Sequence, residues 1–155
     1  MKLCRGVLAI SILIAALMGA AFAQEGGTPQ EAKQMVDEAI AHVKAVGAEK
    51  AFQDFNTHAD GKWFKKDLYV FCYKSDGTCV CNGDNKGLLG KNLLDLKYPD
   101  GQTHIRNMVE IAKTKGSGWE EYPWPHPLTK KIQVKRAYVT KIPGYDGFLA
   151  VGVYK

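Results

Sequence analysis

The chain has 155 residues, of which 46% are hydrophobic and 24% charged, with 21 Lys and Arg against 16 Asp and Glu for a net charge of +5. That length suits one domain with a single core. The lysines are spread along the chain with acids between them, which excludes a nucleic-acid stripe, and no internal repeat or low-complexity tract occurs.

Lys2 and Arg5 give a positive start, an apolar run follows from Val7 to Met18, and Ala21-Phe22-Ala23 supplies a small-x-small site. That order reads as a secretory signal peptide over residues 1–23, cut before Gln24. The rival is an uncleaved anchor, because the run is nearly long enough to span a bilayer. The clean Ala-x-Ala site and the polar sequence after it favour cleavage. Cys4 lies too early for a lipoprotein cysteine and leaves with the signal. Loss of Lys2 and Arg5 lowers the net charge from +5 to about +3. No second long apolar run follows, so residues 24–155 are expected to form one soluble domain, periplasmic or secreted.

Thr28-Pro29-Gln30-Glu31 is a capping box with proline at the first helical position. Behind it Ala32, Met35, Val36, Ala39, Ile40 and Val43 fall on one stripe, and Ala51, Phe52 and Phe55 resume it after Gly47. The spacing predicts one long amphipathic helix to about Asn56, bent at Gly47. Leu68 to Tyr73 and Thr78 to Cys81 flank Ser75-Asp76-Gly77 as a β-hairpin. A Gly- and Asn-rich loop covers 82–92, and Leu93, Leu94 and Leu96 make a short apolar anchor before Pro99-Asp100-Gly101. Thr103 to Thr114 is helical, with Gly116 as its stop. Three strands close the chain: Gly118–Pro123, Lys131–Ile142 and Phe148–Lys155. Hairpin connections imply an α+β domain, an antiparallel sheet with its helices on one side.

Export favours disulfides among Cys72, Cys79 and Cys81. With Ser75-Asp76 as a two-residue turn, Cys72 falls opposite Cys79, and Cys81 lies diagonal to it on the same face. Cys72–Cys79 is therefore the expected bridge. A thiolate metal site from the three cysteines lacks a fourth ligand at any familiar spacing, so metal ranks below a disulfide or buried thiols. His42 and His104 read as exposed helix residues, and His126 sits in a stiff loop between Pro125 and Pro127. No histidine pairs at zinc spacing and no catalytic or nucleotide fingerprint occurs, so neither an enzyme nor a cofactor is expected.

The richest stretch is Gly118-Trp119-Glu120-Glu121-Tyr122-Pro123-Trp124-Pro125-His126-Pro127. It is either the wall of an aromatic pocket or a plug beneath the sheet. Lys135 follows on a strand between Val134 and Arg136. A lysine there normally faces solvent; pointing inward, it needs an anion.

Several pieces in order resemble the single-Cache sensor domains of the second type. They are Ala51-Phe52, Asn56, Asp67-Leu68-Tyr69-Val70-Phe71, Asp76-Gly77, Gly90-Lys91-Asn92-Leu93-Leu94-Asp95-Leu96, Asp100-Gly101, Gly118-Trp119, Tyr122, Trp124-Pro125, Lys135, Tyr138-Val139 and Val151-Gly152-Val153-Tyr154-Lys155. The resemblance implies a long N-terminal helix on a PAS-like five-stranded antiparallel sheet. It also implies a pocket for a small organic acid of the acetate, propionate, pyruvate or lactate type. By position Tyr122, Trp124, Lys135 and Tyr138 would hold the ligand, with Tyr69 and Trp119 as walls. Asn82 departs from an expected histidine, Cys79 and Cys81 replace aliphatic residues, and the chain ends where membrane-bound relatives continue into a signalling module. A partner such as a membrane sensor kinase or chemoreceptor is therefore expected to carry the output. The alternative is a thiol-redox or metal-handling protein using Cys72, Cys79 and Cys81.

Overall fold

Thr28 starts the first helix as expected: its backbone N–H donates to Glu31 Oε2 at 2.8 Å, and Glu31 N–H donates back to Thr28 Oγ1 at 3.2 Å. The computed structural model describes residues 26–57 and 61–155, so the expected signal peptide and its cleavage point, like His58, lie outside the described residues. Helix α1 runs over Pro29–Val46 and α2 over Ala48–Phe55. Gly47, at φ 85° and ψ 157°, separates them. That backbone conformation is open to glycine alone, so the expected bend is a full break between two helices.

The strands are β1 (Phe64–Lys65), β2 (Leu68–Lys74), β3 (Cys79–Asn82), β4 (Ser117–Pro125), β5 (Ile132–Lys141) and β6 (Gly147–Tyr154), with α3 (His104–Thr114) before β4. Their order is β1-β2-β6-β5-β4, β3 also pairs with β2, and every pairing is antiparallel. The five longer strands match the expected sheet, and the two-residue β1 is an addition the sequence pattern did not reveal.

The expectation of helices on one side is wrong. Val70, Cys72, Leu149 and Val151 pack with α1 and α2, whereas Phe71, Tyr73, Ala137, Val139, Phe148 and Ala150 pack with Ile105, Met108 and Ala112 of α3. Both faces are covered. The sequence carried the sign, since Leu68–Tyr73 and Phe148–Val153 are unbroken apolar runs rather than alternating ones.

The expected Cys72–Cys79 bridge is also corrected: Cys72 is bonded to Cys81, and Cys79 is a buried free thiol. The hairpin turn is one residue longer than the sequence reading supposed. Lys74 N–H bonds Thr78 O at 2.9 Å, leaving Ser75-Asp76-Gly77 as a three-residue loop with Gly77 at φ 88°. Tyr73 then faces Cys79, and a β-bulge puts Cys81 opposite Cys72. Val80 is the extra residue, so Cys79 turns to the α3 side and Cys81 to the α1 side. Peptide mapping of unreduced, denatured protein is expected to find Cys72 joined to Cys81 and a single alkylatable thiol at Cys79. A Cys72–Cys79 peptide would contradict the bulged register.

Candidate binding site

Alternation along β5 sends Lys135, Ala137 and Val139 to the α3 face and Arg136 and Tyr138 to the α1 face. Lys135 is completely buried, and its Nζ has no hydrogen-bond partner. Aromatic rings surround the ammonium instead: Nζ lies 3.8 Å from the ring centre of Tyr69, 4.6 Å from that of Phe71 and 5.3 Å from that of Tyr154. Cation–π attraction offsets part of the desolvation cost but satisfies none of the three N–H donors. Burial holds the lysine well below its ordinary pKa, with the charges of Asp84 and Asp67 opposing that shift. Space for the side chain comes from Gly152 on β6, where a Cβ would lie 2.5 Å from Lys135 Cε and 2.9 Å from Cγ.

The hydroxyls around the lysine form a directed chain. Trp124 Nε1–H donates to Tyr69 Oη at 3.0 Å, and Tyr154 Oη donates to the Pro125 carbonyl at 3.0 Å. The Tyr69–Tyr154 contact of 3.4 Å must then run from Tyr69 to Tyr154, because the Tyr154 proton is already committed. Tyr122 lies opposite Lys135 in the β4–β5 register and is buried on the same face. Its phenol is held well above its ordinary pKa by burial, so it stays neutral. At the end of this row the His126 ring packs 4.7 Å from Tyr154. His126 Nδ1 accepts from Leu128 N–H and Thr129 N–H, both at 3.2 Å, which leaves Nε2–H facing Asp67 Oδ2 at 3.5 Å. Asp67 in turn accepts from Gly27 N–H at 2.6 Å, tying the approach to α1 to this end of the sheet.

Four of the six residues named from the sequence therefore meet: Tyr69, Tyr122, Trp124 and Lys135. Trp119 and Tyr138 do not join them. They pack together on the α1 face with ring centres 5.0 Å apart, and Tyr138 Oη donates to Ser117 Oγ at 3.1 Å. A sheet lies between them and Lys135, so neither reaches a ligand held there.

Other residues adjoin Lys135 or its aromatic neighbours, although the sequence pattern did not mark them for the candidate site. Phe71, Tyr154 and Gly152 surround Lys135, and Tyr98 brings its ring to within 5.8 Å of Tyr122 and 5.9 Å of Trp124. His104 is not an exposed helix residue: it is 4% exposed, with Nδ1 2.6 Å from Glu120 Oε1 and Nε2 2.7 Å from Asp100 Oδ2. Asn82 also has a structural task, since its side-chain oxygen accepts from Asp84 N–H at 3.0 Å and Asn85 N–H at 2.8 Å. A separate cavity of about 320 Å³, lined by Glu31, Met35, Lys65 and Leu68 among others, opens on the α1 side and includes none of these residues.

A helix-flanked antiparallel sheet is the architecture of Cache and PAS-like sensor domains. The Cache domain family profile matches residues 32–155, and the chain belongs to that family. A methyl-accepting chemotaxis protein of Vibrio parahaemolyticus has the same fold, with a TM-score of 0.69 and 22% identity over 81% of this chain and 86% of that one. A Cache chemosensory domain solved for its carboxylic acid recognition superposes with a TM-score of 0.67 and 22% identity, covering 81% of this chain and 91% of that one. By sequence, the sensor histidine kinase MctS of Rhizobium johnstonii is 33% identical over 91 residues, 59% of this chain and 20% of the kinase. The methyl-accepting chemotaxis protein CtpM of Pseudomonas aeruginosa is 27% identical over 128 residues, 78% of this chain and 23% of the receptor. The matched part is thus about a quarter or less of each of these two relatives. Among the described residues no helix is long and apolar enough to cross a membrane.

Proposed function

We propose that this domain binds a small organic acid of the acetate, propionate, pyruvate or lactate type outside the cytoplasm and passes the signal to a partner such as a sensor kinase or chemoreceptor, without catalysing a reaction. One observation carries the reading: a fully buried ammonium with no hydrogen-bond partner, set among neutral aromatic groups. A carboxylate supplies the charge and the acceptors that this lysine lacks, through charge-assisted hydrogen bonds. The carboxylic acid recognition of a domain with the same fold supports the ligand class, and the kinase and chemoreceptor relatives support the output.

Isothermal calorimetry with acetate, propionate, pyruvate and lactate tests this. Binding of at least one is expected, and no heat or thermal stabilisation from any of them would defeat the reading. The thiol alternative is disfavoured because the sheet separates Cys79 from the Cys72–Cys81 bridge and burial pushes the Cys79 thiol up to about 11.

Binding should also take up protons. The Lys135 pKa is depressed in the free protein, and a bound carboxylate raises it again. Affinity is then full below the free-protein pKa and falls as pH rises through it. The window opens below the ordinary lysine value of 10.5. Calorimetry in buffers of different ionisation enthalpy reads the uptake, and a heat independent of buffer throughout that window would contradict the shift.

A further inference from the structure

We propose that the acid taken by this site carries a second, uncharged oxygen, a hydroxyl or a carbonyl, and that the Tyr98 hydroxyl is the residue that reads it. The inference rests on the carboxylate reading above and narrows it. Tyr98 lies in the irregular segment before α3, where a local turn fixes it: Tyr98 N–H donates to Gln102 O at 3.0 Å, and Gly101 N–H donates to Tyr98 O at 2.8 Å. The residue is 7% exposed, and its buried hydroxyl has no hydrogen-bond partner. A buried polar group left in that condition is costly, and native structures rarely tolerate one without a reason.

The ring nitrogens of His104 and Trp124 beside it are already engaged. The His104 ring meets Tyr98 edge-on at 4.9 Å, yet both its nitrogens face carboxylates, Glu120 Oε1 at 2.6 Å and Asp100 Oδ2 at 2.7 Å. Trp124, tilted 5.9 Å from Tyr98, spends its only N–H on Tyr69. Tyr122 links the two orphaned groups, because its ring is 5.8 Å from that of Tyr98 and its backbone pairs with Lys135. Tyr122 thus stands opposite the unpaired cation in the strand register and in ring contact with the residue that carries the unpaired phenol.

The chemistry of the second group sets the class of the second ligand atom. Burial, with the Asp100 charge nearby, holds the Tyr98 phenol protonated, so it offers a neutral hydroxyl. A hydroxyl donates to a carbonyl or exchanges hydrogen bonds with an alcohol. A second carboxylate would be disfavoured there, because Asp100 and Glu120 flank His104 at that end. The fit is a short monocarboxylate bearing a hydroxyl or oxo group, not a plain fatty acid and not a dicarboxylate.

Propionate, lactate, pyruvate and malonate form the test set, titrated calorimetrically into the protein and its Tyr98→Phe variant. In the wild type, lactate or pyruvate should bind about tenfold more tightly than propionate, with malonate no better than propionate. Tyr98→Phe should bring that ratio to within about threefold, since only the hydroxyl that reads the second oxygen is gone. The variant's melting temperature should be equal or higher, because it removes an unsatisfied buried group and keeps the ring. Equal wild-type affinity for propionate and lactate would overturn the inference, as would a preference that survives in Tyr98→Phe or tighter binding of malonate than of lactate. Failure of every acid to bind would instead defeat the carboxylate reading and this inference with it, whereas equal binding by Lys135→Ala would remove the lysine from the site.

Discussion

Lys135→Ala should abolish carboxylate binding while the sheet stays folded. Truncating a charged partner in a desolvated contact costs about 2–5 kcal/mol, which weakens binding by roughly 30-fold to several thousandfold. Lys135→Met separates charge from stem: it fills the space beside Gly152 without an ammonium, and it should bind as poorly as alanine. Its folding stability should rise, because in the free protein the unpaired ammonium opposes burial and the thioether does not. Tyr122→Phe removes one neutral hydroxyl and should cost about 0.5–1.5 kcal/mol of binding if that hydroxyl bonds the ligand. Calorimetry beside thermal melts reads both quantities. Equal binding by wild type and Lys135→Ala would remove the lysine from the site and leave the fold assignment standing.

Why Trp119 and Tyr138, two of the six residues named, fall on the other face of the sheet is a matter of strand parity. Trp119 and Tyr122 are three residues apart on β4, and Lys135 and Tyr138 are three apart on β5. In a regular strand that spacing puts the members of each pair on opposite faces. The alternation was therefore readable, and Tyr122, Trp124 and Lys135 share a face only at the expense of Trp119 and Tyr138. Carrying the residues over by their position in the family pattern, without weighing strand parity, merged two faces into one pocket. Phe71 could have been found by the same rule, since it shares parity with Tyr69. Tyr98 could not, because its position depends on the turn closed between Tyr98 and Gln102 rather than on any periodicity.

The elements themselves were readable wherever a local signal was strong. The capping box fixed the start of α1, and each of the last three strands lies within one or two residues of its expected bounds. The hairpin register was not readable, because Ser75-Asp76-Gly77 fits both a two-residue and a three-residue loop. That single choice, together with the bulge at Val80, decides which cysteine meets Cys72. His104 failed for a different reason. Its burial depends on Glu120 from β4 and Asp100 from the preceding turn, a tertiary contact that no helical pattern encodes.

Gly152→Ala should damage both the fold and the site, and it should do so through Lys135. The added methyl would lie 2.5 Å from Lys135 Cε, 2.9 Å from Cγ and 3.2 Å from the Arg136 carbonyl oxygen. Side chains elsewhere yield to such a contact by swinging into solvent, but Lys135 is fully buried against Tyr69 and Phe71 and has no free direction. Overpacking of this kind costs about 1–3 kcal/mol of stability, and the close mid-stem contact places this case at the upper end. Binding should fall as well, because the ammonium moves with its stem. The double variant isolates the cause. In a Lys135→Ala background the stem is gone, the alanine methyl occupies vacated space, and the stability cost of Gly152→Ala should shrink by about 1–2 kcal/mol. Thermal or urea denaturation of the four proteins in the cycle measures that coupling. If the cost of Gly152→Ala were the same with and without the lysine, the collision would lie with the Arg136 backbone, and Gly152 would not be the residue that makes room for the buried cation.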